Sequence, residues 1–61
     1  MSPKALARLA SRMQAFDSVP PELRDMAEFR KMMNDINAEP GDYVSNVMRV
    51  CAETLRLRSA K

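Results

Sequence analysis

DYVSNVMRVCAETLRLR, residues 42–58, carries two apolar rows at helical spacing rather than one. Tyr43, Val47, Val50 and Leu57 recur at three-, four- and seven-residue steps, and Val44, Met48, Cys51 and Leu55 form a second row beside them. A single core-facing stripe is too narrow to hold both. Such a helix is expected to touch two neighbours at once, which makes it the member of a small bundle against which the others pack.

Working outward, the chain before it divides at its prolines. In residues 1–16 the spacing of Leu6, Leu9, Met13 and Phe16 predicts an amphipathic helix, with Ser2 as N-cap and Pro3 in the first turn, where a missing N–H is harmless. Val19 and Pro20 each precede a proline and are pushed out of the helical region, so this helix ends near Asp17. Pro21 suits the start of a second helix whose apolar positions are Leu23, Met26, Phe29, Met33 and Ile36, with Ala27 and Met32 at the edges. Glu39-Pro40-Gly41 stops it, and Asp42 is placed to cap the third. The expected fold is an all-α three-helix bundle with helices at about 3–16, 21–37 and 42–58, in one small domain covering 1–61. Connections of about five residues imply that successive helices run antiparallel.

A chain of 61 residues buries only about 60% of the surface it exposes when unfolded, so its core is marginal. Domains this small usually add disulfides, a metal or a partner. With one Cys and no His the first two are not expected, and neither is a cofactor. Oligomerisation or a partner is therefore expected to complete the bundle. The lone Cys51 suits a reducing compartment, which points to the cytoplasm. Residues 1–16, free of acids and containing Arg and Ser, also have the character of a mitochondrial presequence, which makes the matrix the alternative compartment. No apolar run reaches the length of a membrane span.

The net charge of +2 hides a basic, acidic, basic order. Residues 1–16 carry Lys4, Arg8 and Arg12 and no acid; residues 17–42 carry seven acids against Arg24, Arg30 and Lys31; residues 43–61 carry Arg49, Arg56, Arg58 and Lys61 against Glu53. Lys4, Arg8 and Arg12 stack at i, i+4 and i+8, an arrangement that is destabilising unless something acidic faces it. That something is solvent with its counterions, carboxylates of the second helix such as Glu22, Asp25 and Glu28, another protein, nucleic-acid phosphates or anionic lipid. On the third helix Asn46, Arg49, Glu53 and Arg56 share a polar side. A DNA-reading helix has that look, as does a solvated face laced with ion pairs, and the latter is the simpler account.

Catalysis lacks a complete set of nucleophile, base and oxyanion donors, and Cys51 in an apolar row reads as a buried, inert thiol. The expected function is that of a small non-enzymatic interaction protein, a regulator, inhibitor or accessory subunit presenting helical surfaces to another protein or to its own copy. Its contact residues would be Arg8, Arg12, Phe29, Met32, Tyr43, Val47 and Val50. Met32 is included because it sits beside the acidic positions Asp25, Glu28 and Asp35, where a monomer has no evident use for an apolar side chain. The alternative is a nucleic-acid-binding regulator using Lys4, Arg8, Arg12, Asn46, Arg49, Arg56 and Arg58. A membrane is the least expected partner.

Overall fold

The computed structural model describes residues 1–60. The Ser2 hydroxyl accepts the Ala5 N–H at 3.1 Å, and α1 runs Pro3–Asp17. It ends where the Ser18 hydroxyl donates back to the Gln14 carbonyl, just before the two prolines. The second helix does not begin at Pro21 as its spacing suggested. Pro21–Leu23 form a single 3₁₀ turn, Arg24 is extended, and α2 runs Met26–Asn37. Two forces hold Arg24 out of the helix. Its guanidinium donates to the Val19 and Asp17 carbonyls at 2.9 and 3.2 Å and lies over the Phe16 ring, 5.5 Å from the centroid. Asp25, the next residue, then serves as N-cap and accepts the Ala27 N–H at 2.9 Å.

Pro40 and Gly41 make the second turn. Gly41 has φ +104°, the one positive φ among the described residues, and a β-carbon there would meet Asn46 only at ordinary van der Waals distance. The backbone angle, not crowding, is what favours glycine. Asp42 accepts the Ser45 N–H at 2.9 Å and opens α3, Tyr43–Ser59.

The three helices pack together, and no strand occurs among the described residues. Phe16 near the end of α1 meets Phe29 near the start of α2, and Arg12, one turn earlier on α1, reaches Asp35 further along α2, so these two run antiparallel. α1 and α3 run in the same direction, with the Met1 amine on the Pro40 carbonyl at one end and Arg58 on Asp17 at the other. Their contact is the most extensive in the molecule. Ala10, fully buried, lets the backbones approach until the Thr54 hydroxyl comes within 3.5 Å of its carbonyl.

Leu9, Met13, Met32, Ile36 and Val50 form the core, with Leu6, Phe16, Phe29, Met33 and Val47 partly buried around it. Helix α2 is rotated from the expected setting: Met26 is exposed, whereas Met32 is 1% exposed, and Leu23, in the 3₁₀ turn before the helix, is exposed as well. Glu28, Met32 and Asp35 are spaced i, i+4 and i+7, so turning both carboxylates towards Arg12 carries the methionine between them inward. The molecule measures 33 × 29 × 16 Å, thin in one direction. Its accessible surface of 4357 Å² exceeds the roughly 4,000 Å² of a globular chain of its mass.

Candidate functional site

The two apolar rows of α3 have separate fates. The first turns inward: Val50 is fully buried, Val47 and Leu57 are partly buried, and only Tyr43 at the helix start stays largely exposed. The second row does not meet a neighbour. Val44, Met48 and Leu55 are 61, 67 and 57% exposed, and Cys51 between them is exposed as well. The expectation that α3 uses both rows within the bundle is therefore corrected. With α1 and α2 both on one side of α3, a row turned well over 90° from that side has nothing to rest on. The reading of Cys51 as a buried thiol is corrected for the same reason.

Beside this strip lies a groove between α2 and α3 of about 410 Å³. Met13, Phe29, Met33, Val47, Cys51 and Leu55 line its apolar part, and Asp17, Thr54 and Arg58 the polar end. Phe29 stands half in the core and half in the groove, its ring 5.5 Å from that of Phe16. Tyr43 lies nearby, its hydroxyl 3.9 Å from the sulfur of Met33, which lines the groove. The strip and the groove share Cys51 and Leu55 and so make one apolar surface on α2 and α3.

Of the expected contact residues, Phe29, Tyr43 and Val47 are brought together here. Met32 and Val50 are not: both are enclosed by the chain's own core and have no surface to offer. Arg8 lies exposed on α1. Arg12 is already engaged, its guanidinium 2.7 Å from Asp35 and 3.5 Å from Glu28. The hydrogen bond it donates to Asp35 is the main reason its pKa is raised. The acid expected to face the basic row thus belongs in part to the chain itself, and it faces Arg12 alone.

The nucleic-acid set is dispersed. Asn46 is buried, its amide donating to the Pro40 carbonyl at 3.1 Å, and it pins α3 to the preceding turn rather than reaching outward. Arg56 pairs with Glu53, a bond that raises its pKa, and Arg58 pairs with Asp17 at 2.9 Å. Lys4, Arg8 and Arg49 are exposed and have no carboxylate partner among the described residues.

Thr54 escaped the periodicity because threonine counts as polar. It is buried, its hydroxyl donating to the Val50 carbonyl one turn back at 2.7 Å. No helix among the described residues is long and apolar enough to cross a membrane. Compared with known proteins, the chain matches no family model, no curated protein and no solved structure.

Proposed function

We propose that this chain is a small non-enzymatic interaction protein, a regulator, inhibitor or accessory subunit that works by offering a helical surface to another polypeptide. One observation carries the reading: Val44, Met48, Cys51 and Leu55 stand in line on α3, uncovered, beside an apolar groove. Scattered exposed apolar residues need no explanation, but a contiguous row across three helical turns does. A 61-residue core held by a few large side chains gains burial when such a row is covered.

A photo-crosslinking amino acid at position 48, in cells that make the protein, tests this against the same probe at exposed Lys31 on the other side of α2. Adducts with a second polypeptide, a copy of this chain included, are expected from position 48 and not from position 31. Equal yields from both, or none from position 48, overturn the reading.

The nucleic-acid alternative draws on Lys4, Arg8 and Arg49, three exposed basic side chains with no carboxylate partner among the described residues. It requires duplex binding that weakens steeply with salt and falls on Arg8→Ala.

A further inference from the structure

The spacing of the uncovered strip fits a second helix, and the sizes of its side chains fit one helix in particular. We infer that its occupant is the same strip of a second copy of this chain, the two α3 helices packing antiparallel about a twofold axis between Met48 and Cys51. This rests on the strip being an interaction surface and adds the identity of the partner.

Val44, Met48, Cys51 and Leu55 follow one another at four-, three- and four-residue steps, the seam of two helices packed knobs into holes. At ~100° per residue the strip stands roughly 130° round α3 from buried Asn46, Val50 and Thr54. A helix laid along it therefore clears α1 and lies beside the groove that α2 borders. The positions flanking such a seam are Ser45 and Ala52 on one side and Val47 and Thr54 on the other. None is charged. In paired helices these positions carry the charges that choose a foreign partner or repel a like one, and here they do neither.

Antiparallel, the strip complements itself. Val44 falls opposite Leu55 of the second copy and Met48 opposite its Cys51, so each layer sets a larger side chain against a smaller one. Next along the seam, Arg58, already held by Asp17, falls opposite Gly41, which has no side chain to meet it. Charges outside the seam favour the same direction. Asp42, Arg49 and Arg56 recur at seven-residue steps on the rim of α3 away from the groove. Antiparallel pairing brings Asp42 of each copy near Arg56 of the other, two opposite-charge pairs against the single like pair of Arg49, which points into solvent roughly 130° from the seam. Parallel pairing sets like against like at all three positions, puts Met48 on Met48 and Leu55 on Leu55, and aligns the helix dipoles. Covering the strip and the groove wall on both copies removes on the order of 1,000 Å² from water, the lower limit of specific interfaces, which suits a dimer that forms and parts reversibly.

Sedimentation equilibrium of the full chain from about 10 μM to about 1 mM reads the association directly. A reversible dimer is expected. Met48→Glu, which places a carboxylate in the middle of the seam on both copies, should weaken it at least about tenfold, and Lys31→Glu on the other side of α2 should leave it unchanged. Both sites are exposed, so both variants should keep the helical circular dichroism. Oxidation reads the direction. In a Cys51→Ser background, the Val44→Cys and Leu55→Cys proteins should each stay free of disulfides alone, since the two copies of either position lie about 16 Å apart along the pair, and should join when mixed. A chain that stays monomeric throughout, a Met48→Glu variant that dimerises as tightly as the parent, or disulfides within each single variant and none between them would each overturn the inference. So would a strip that seats on phospholipid vesicles in preference to its own copy. A monomer that still cross-links from position 48 to a polypeptide of another mass sinks the second copy alone; no cross-linked polypeptide from that position sinks the interaction reading beneath it.

Discussion

Arg12 on α1 holds Asp35 on α2 at 2.7 Å, and this part-exposed pair lies one turn from Met32, which is enclosed in the core. The two residues differ in energetic weight from the methionine beside them. The Arg12 and Asp35 side chains are 29 and 47% exposed, so water and salt screen them. Asp35→Ala is therefore expected to cost less than about 1 kcal/mol, and less still at raised salt. Met32→Ala removes a fully enclosed side chain and is expected to cost about 2–5 kcal/mol, most of what a core this small supplies. Urea denaturation of both variants checks the ratio, and an equal cost would mean that the ion pair, not packing, holds α2.

The apolar rows of α3 differ in the same way. Met48→Gln on the exposed row should leave the isolated chain within about 0.5 kcal/mol of the parent. Val50→Asp places a carboxylate in the core with no partner and should abolish cooperative unfolding. Thermal melts at high dilution distinguish them.

Cys51 is exposed on α3, so its thiol should react with a disulfide reagent in the native protein at nearly the rate seen in denaturant. A partner helix on the strip should slow that reaction. Protection of the thiol in the dilute, isolated chain would mean that the strip is covered from within.

The Asp42 carboxylate accepts the Ser45 backbone N–H, and that hydrogen bond lowers its pKa below the ordinary 3.8. A group depressed on folding contributes stability that is fully present above its unfolded pKa and is lost as the pH falls through the folded value. Stability from this cap should therefore be level above about pH 4 and decline in more acidic solution. Asp42→Asn retains a capping oxygen that does not titrate, so its urea midpoint should fall less across the acid range. Parallel curves for the two proteins would show that the cap's charge contributes nothing.

Gly41→Ala should cost about 1 kcal/mol or more, because alanine at φ +104° is strained even though its methyl group has room. A loss of only a few tenths in the same measurement would mean that the turn adapts at little cost.

Much of the fold was written in local chemistry. Ser2, Pro3, Asp42 and the Pro-Gly turn mark helix ends through hydrogen bonds and backbone angles that reach no further than one turn. The start of α2 was misplaced by its prolines, since the contacts that hold Arg24 extended come from Phe16, Asp17 and Val19 across the turn. The choice between the α3 rows was not local at all. Both have helical spacing and apolar character, and nothing within a helix says which side its neighbours will occupy. That side was decided by Ala10, small enough for α1 to lie close under Val50 and Thr54, and by Met32 and Ile36 of α2 sharing one core with Leu9, Met13 and Val50. Apart from the start of α2, helix boundaries were thus determined by residues within a turn of them in sequence. The uncovered strip on which the proposed function rests was decided by packing between residues far apart in it, because burial depends on the arrangement of all three helices at once.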